Sequence, residues 1–302
     1  MTSWRPDRLD DILGQQKIVD SLKISIKSAD IRNHALPHIC LDGPPGLGKT
    51  SVAKAISNEL GVKMHVVLGS NIDSFKDILP SIVSVGRREI LFIDEIHRVN
   101  KRIAESFYTI LEDFRIDIPM DQNGEMKAVN IDLPEFTVIG ATTHAGLLAT
   151  PFLDRFKLKF SLELYSIECL MEILLANAER MELRLSEKGL RQIATASRGT
   201  PRIANGLLEW IRDYVIANAL EVVTERHIGL ALDMRGIGKD GSTPDDRRYL
   251  ELLKKHNKPV GLDSICSALN ITKETVTSII EPWLLQKGMI CKAPRGRELL
   301  NV

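Results

Sequence analysis

The stretch GPPGLGKT at residues 43–50 constrains this chain more than any other, because few backbone geometries need that spacing. It fits G-x-x-x-x-G-K-[ST]. In that pattern glycines let backbone N–H groups close around phosphates, the lysine (Lys49) reaches the β and γ oxygens, and the hydroxyl (Thr50) faces Mg²⁺. The pattern also arises by chance, so its surroundings decide. Here the apolar run HICLDG precedes it and the amphipathic run KTSVAKAISNEL follows, with Gly61 as a stop signal. Strand, loop and helix therefore come in the order that a phosphate-binding loop requires.

Further apolar runs, MHVVLG, EILFIDE, FTVIGATT and LKFSLEL, alternate with amphipathic segments up to about residue 160. That alternation predicts an α/β domain over residues 1–160, a parallel sheet with helices on its faces. One interruption, FRIDIPMDQNGEMKAVNIDL, has two alternating arms around Asn123-Gly124 and predicts a hairpin over about 115–133 that projects from the domain.

Beyond Tyr165 the pattern is helical only: SIECLMEILLANAERMEL, SEKGLRQIATAS and TPRIANGLLEWIRDYVIANAL, the last with Thr200 as N-cap and Pro201 at the first helical position. A small helical domain over 161–237 is expected. GIGKDGSTPDD, rich in turn formers, reads as a linker. The remainder, 243–302, reads as a helix, a short helix, a turn at Asn270, a longer helix from a Thr272 cap and an extended basic piece, which is the outline of a helix-turn-helix with a wing.

The chemistry-bearing residues cluster at segment ends. ILFIDE closes a strand on Asp94-Glu95, with Asp94 suited to hold magnesium and Glu95 to orient an attacking water, or the two acids form a solvated turn. Thr142 and Thr143 end the next strand, where they overlook a γ-phosphate or merely form a turn. Arg155 in TPFLDRF is a local salt-bridge partner or an arginine reaching a neighbouring subunit's nucleotide. Arg202 lies in the first turn of a helix, where a cation opposes the helix dipole and calls for an anion, either a nucleotide phosphate or an acidic side chain. Near the C-terminus, CKAPRGREL carries Lys292, Arg295 and Arg297 on a Pro- and Gly-turned loop, which contacts DNA phosphates or is a solvated hairpin.

Composition narrows the partners. With 302 residues and 44% hydrophobic content, two or three domains are expected. Lys plus Arg equals Asp plus Glu at 40 each, so any nucleic-acid contact must be a local patch. Cys40, Cys169, Cys266 and Cys291 are widely spaced and form no CxxC pair, which suggests neither a zinc site nor a disulfide framework and favours reduced, buried thiols. The N-terminus lacks an apolar leader and no run of about 18 apolar residues occurs, so no membrane partner is expected and the cytoplasm is the expected compartment.

Together these segments resemble the AAA+ ATPases and, more narrowly, the RuvB family of Holliday-junction branch-migration motors. The resemblance rests on RPDRLDDILGQ, LDGPPGLGKT, LFIDEIHRVN, LEDFRIDI, IDLPEFTVIGATTHAGLL, PFLDRF, LYSIECL, SRGTPRIANGLL, EPWLLQKGMI and APRGR, in that order along nearly the whole chain. It implies a P-loop domain, a lid and a winged helix, ATP and Mg²⁺ as cofactors, and a homohexameric ring driving DNA. Trp4 and Arg5 match the segment that touches nucleotide, Gly46, Leu47, Gly48, Lys49, Thr50 and Ser51 the phosphate loop, and Thr50 and Asp94 the metal ligands. Glu112, Asp113 and Phe114 match a nucleotide-proximal EDF, Thr143 the first sensor, Arg155 the arginine finger, and Tyr165 and Arg202 the lid contacts. Lys292 and Arg297 match wing positions that meet DNA, and the Asn123-Gly124 hairpin matches the arm that docks on a RuvA-like partner. The sequence departs from the family at His144, Leu153 and Gly206, where arginine is usual, and at Lys157, where glycine is. A clamp-loader-like subunit and a nucleotide-switched winged-helix regulator are the competing expectations.

Overall fold

A computed structural model describes residues 6–122, 125–256 and 258–300. Trp4 and Arg5, and the predicted hairpin tip Asn123-Gly124, lie outside them.

Within residues 1–164, the first compact unit, α1 (Gln16–Arg32) leads to β1 (Ile39–Asp42), α2 (Lys49–Leu60), β2 (Met64–Leu68), α3 (Phe75–Ser84) and β3 (Ile90–Asp94). There follow α4 (Lys101–Asp113), β4 (Arg115–Gln122), β5 (Glu125–Asp132), β6 (Thr137–Thr142), α5 (Thr150–Leu153) and β7 (Leu158–Ser161). The main sheet is five-stranded and parallel, in the order β2-β3-β6-β1-β7. β3 and β6 are buried on both faces, which is why ILFI and TVIGAT are continuous apolar or small runs rather than alternating ones. β4 and β5 form a separate antiparallel pair, in register from Arg115↔Asp132 to Gln122↔Glu125.

Strand order matters more for function than strand identity. Because β3, β6 and β1 are neighbours, the loops at their C-terminal ends emerge side by side, with neighbouring strands about 4.8 Å apart. The N-terminal ends gather a different set. There His38, just before β1, bonds the Leu111 carbonyl near the end of α4 at 3.0 Å, and Phe114, Phe136 and Phe156 pack around the same ring or one another.

The second unit, residues 165–302, begins with α6 (Ile167–Arg180), α7 (Glu187–Ala196), α8 (Pro201–Ala217) and α9 (Glu225–Met234), packed around Leu174, Ile193, Leu208, Ile211 and Leu232. The helix α9 is an addition to the three helical segments expected. Thr200 does occupy the N-cap of α8, but its hydroxyl makes no capping bond; Pro201 stands at N1 as expected.

The segment expected to be a linker is tied down instead. Arg198 Nε donates to the Gly241 carbonyl at 2.7 Å, its guanidinium pairs with the fully buried Asp246, and it lies over the Trp283 ring at 4.4 Å. Removing either charge of such a buried pair costs about 3–5 kcal/mol, so the lid helices and the C-terminal elements are joined by a firm contact.

Those C-terminal elements are α10 (Pro244–His256), α11 (Leu262–Leu269), α12 (Lys273–Thr275), α13 (Glu281–Gln286), β8 (Ile290–Ala293) and β9 (Gly296–Leu299). Asn270 ends α11 in the left-handed region and Thr272 caps α12 through its hydroxyl, so the helix-turn-helix is built as the sequence suggests. Between α12 and α13 the chain takes a π-helical turn over Val276–Ile280. Pro282 explains it: a proline lacks the N–H and crowds the carbonyl four residues back, and one widened turn relieves both.

Cys40 is buried as expected, but Cys169, Cys266 and Cys291 are only half-buried; all are free thiols. Among the described residues no helix is long and apolar enough to cross a membrane.

Candidate functional site

The loop after β1 is shaped by glycine. Gly48 sits at φ 99°, a region costly for residues with a Cβ, and forms the N-cap of α2 without any side-chain cap. The first N–H groups of α2 are therefore left for a ligand, and the helix dipole favours an anion there. Lys49 Nζ lies across the loop, donating to the Gly43 carbonyl at 2.6 Å and to Pro44 at 3.0 Å. Burial depresses its pKa, while Glu95, Asp94 and Asp42 pull it back up. Thr50 and Ser51 follow in the first turn and Leu47 is buried beneath the loop. This donor set, a lysine and open backbone amides with a hydroxyl beside them, fits a polyphosphate and a hydrated divalent cation.

Across the loop, β3 ends on Asp94, and Glu95 turns the chain at φ 51° into a short 3₁₀ turn, Ile96–Arg98. A left-handed conformation is strained for glutamate, and the neighbouring backbone holds it in place. Gly69 permits that closeness: a Cβ there would sit 2.4 Å from the Glu95 carbonyl oxygen. Thr143 Oγ1, from the end of β6, donates to Glu95 Oε2 at 3.0 Å, and His97 Nδ1 lies 3.1 Å from the same oxygen and 2.9 Å from Thr142 Oγ1. Burial lowers the His97 pKa against the pull of Glu95. His144 Nδ1 then reaches Thr143 Oγ1 at 2.9 Å. Since the Thr143 hydrogen goes to Glu95, His144 must donate. Reasoning from sequence missed both histidines as members of this cluster; His97, two residues after Glu95, was the available signal.

Glu112, Asp113, Phe114 and Arg155 stand elsewhere. They occupy the N-terminal end of the sheet, opposite their own phosphate loop, because α4 ends beside His38 and α5 precedes β7 there. Arg155 Nη2 donates to Glu112 Oε2 at 3.2 Å, and its guanidinium stacks 3.8 Å over the Tyr108 ring. Its salt-bridge partner is thus Glu112, while the adjacent Asp154 pairs with Lys159. Arg155 Nε is buried without a hydrogen-bond partner among the described residues. Asp113 is exposed, and Phe114 is partly buried against His38 and Phe136.

In the second unit, the Tyr165 N–H donates to the Gly199 carbonyl at 2.9 Å. Arg202 is exposed in the first turn of α8, with no hydrogen bond or ion pair to any described residue. The acidic partner considered for it is therefore missing among the described residues. On the β8–β9 hairpin, Lys292 and Arg295 are exposed, whereas Arg297 turns inward onto Glu281 at 2.7 Å. Arg297, one of the cations expected to meet DNA, pairs here with the fully buried Glu281 carboxylate.

Comparison with known proteins decides the family. The chain matches, consecutively, the Holliday junction DNA helicase RuvB P-loop domain over residues 4–162, the RuvB AAA lid domain over 165–238 and the RuvB C-terminal winged helix domain over 239–301. The chain belongs to the RuvB family. Among its relatives, the Holliday junction branch migration complex subunit RuvB of Rubrobacter xylanophilus is 40% identical over 295 residues, covering 97% of this chain and 83% of that protein. The same subunit of Myxococcus xanthus is 39% identical over 297 residues, covering 98% and 87%. Among solved structures, the Thermotoga maritima RuvB Holliday junction branch migration motor superposes with a TM-score of 0.89 at 34% identity, over 99% of this chain and 96% of that one. RuvB membership makes the phosphate loop a nucleotide site of the AAA+ class.

Proposed function

We propose that this chain is an ATP-driven motor of branch migration, acting on four-way DNA junctions as a homohexameric ring. The observation that carries this reading is the division of the chemistry between opposite ends of one sheet. Lys49, Asp94, Glu95 and Thr143 converge at the C-terminal end, while Arg155 with Glu112 waits at the N-terminal end, where only a nucleotide held by another copy is within reach.

In this reading Lys49 and the amides of residues 46–51 bind the β- and γ-phosphates, with Thr50 and Asp94 as the residues that hold Mg²⁺. Bound magnesium supplies charge neutralisation on the phosphates. Glu95 accepts a proton from the attacking water, and Thr143 keeps its carboxylate aimed. Arg155 completes the neighbour's site, with Glu112, Asp113 and Phe114 lining the same contact. Trp4, Arg5, Tyr165 and Arg202 read the nucleotide, Arg202 through the open N-terminus of α8. Lys292, Arg295 and Arg297 are the wing cations that meet DNA, and the β4–β5 hairpin docks a RuvA-like partner. The cytoplasm is the compartment this reading implies.

A clamp loader shares the ATPase body but has no need of the winged helix. A nucleotide-switched regulator has no need of a cross-subunit arginine. ATP-dependent dissociation of a synthetic four-way junction, with and without a junction-binding partner, tests the motor reading against both: a clamp loader or a regulator leaves the junction intact.

A further inference from the structure

We propose that His144 is a positioning residue for hydrolysis: by donating from its ring to Thr143, it commits the single hydroxyl hydrogen of Thr143 to Glu95 and so aims that carboxylate at the attacking water. The inference rests on the reading of Glu95 as the base.

As a carboxylate, Glu95 only accepts, and its two oxygens are held differently. Thr143 Oγ1 donates to Oε2 at 3.0 Å, and His97 Nδ1 stands 3.1 Å from that same oxygen, so it presents a hydrogen there too. Oε1 makes no hydrogen bond to a described residue. Anchoring Oε2 leaves Oε1 to take the proton of water.

Thr143 has one hydrogen and two neighbours placed to share it, Glu95 Oε2 and His144 Nδ1, the latter 2.9 Å away. If the ring nitrogen accepted that hydrogen, the hydroxyl would turn a lone pair toward a carboxylate oxygen only 3.0 Å off, and the two would repel. With a hydrogen on His144 Nδ1 instead, the hydroxyl oxygen is occupied as an acceptor and its own hydrogen has Glu95 as its outlet. The ring is exposed, yet its place is fixed. His144 stands at the N-cap of the 3₁₀ turn Ala145–Leu147, and its backbone N–H donates to Thr142 Oγ1 at 3.0 Å. Its ring meets that of His97 in a T-shaped contact with centroids 5.2 Å apart. The two histidines thus brace each other, one on Glu95 directly and the other through Thr143.

ATPase kinetics of the full chain test this. His144→Leu removes the donor and should lower kcat about fivefold, within the range that one uncharged hydrogen bond is worth, with the KM for ATP and the thermal midpoint little changed. His144→Asn carries an N–H on the atom bonded to Cγ, as His144 does at Nδ1, and should restore the wild-type kcat. In Thr143→Val no hydroxyl remains to be directed, so adding His144→Leu should leave kcat where Thr143→Val put it. Wild-type kcat for His144→Leu, equal losses for the Leu and Asn variants, or the same loss again on top of Thr143→Val would overturn the proposal. Wild-type turnover by Glu95→Gln would instead overturn the reading of Glu95 beneath it.

Discussion

Thr143 donates its hydroxyl hydrogen to Glu95 at 3.0 Å, joining the tip of β6 to the tip of β3 across the nucleotide edge of the sheet. The bond directs one carboxylate oxygen of a residue whose backbone is itself held at φ 51°. Glu95→Gln should retain ATP binding and slow turnover by about 10²–10⁴-fold, the range for losing a positioned base. Thr143→Val removes only the aim; a hydrogen bond to a charged group is worth about 1.5–3 kcal/mol, so kcat should fall at least tenfold with KM little changed. Steady-state ATPase kinetics read both.

Arg155 should act only in an assembly. Arg155→Ala should leave nucleotide affinity intact and reduce hydrolysis by roughly 10³-fold, the lower end for arginine fingers. Loss of its pair with the exposed Glu112 together with its stacking on Tyr108 should lower stability by about 1–2 kcal/mol. Mixing Arg155→Ala with Glu95→Gln subunits should recover part of the activity, because some interfaces then combine an intact Glu95 with an intact Arg155. Equal inactivity of the mixture and of both parents would count against the trans arrangement.

His38 should make the ATPase domain acid-labile. Burial first, and then the nearby Lys157 charge, hold its pKa at about 4 against an ordinary 6.5, while its bond to Leu111 opposes the fall. Between those values the unfolded chain binds the proton and the folded one does not, so stability rises with pH across the window and is level above it. The span is worth on the order of 3 kcal/mol. His38 accepts from the Val138 N–H and so donates from Nε2 to Leu111. His38→Gln, which keeps a donor and an acceptor, should flatten denaturation midpoints between pH 6.5 and 4.

Gly206, a departure from the family, offers a stability test of opposite sign. It lies inside α8 and a Cβ added there meets nothing within 4 Å. Gly206→Ala should raise lid stability by about 0.5–1 kcal/mol, the helix penalty of glycine, measurable as a higher thermal midpoint.

What the sequence made legible was local. The phosphate loop was readable because its glycines, lysine and flanking strand and helix are contiguous, and Asn270 and Thr272 announce their turn and cap for the same reason. The order β2-β3-β6-β1-β7 was not, since each crossover is non-local and no residue encodes its neighbour strand. The ion pair of Arg297 was not legible for a similar reason: its partner Glu281 lies on another element, and a cation in a turned loop carries no sign of an internal carboxylate. The Gly-rich segment before α10 read as a linker because composition records flexibility of the free chain, not the Arg198 contacts that fix it. Helix α9 escaped notice because its buried stripe is only Ile228, Ala231 and Leu232.

The central claim is that hydrolysis at Glu95, completed by Arg155 of another copy, moves DNA through a junction. Its most direct test is ATP-dependent dissociation of a synthetic four-way junction by wild type and by Arg155→Ala, each with a junction-binding partner present. Wild type should separate the arms only with hydrolysable ATP, and Arg155→Ala should leave them joined while still binding nucleotide. Junction separation at the wild-type rate by Arg155→Ala would contradict the account.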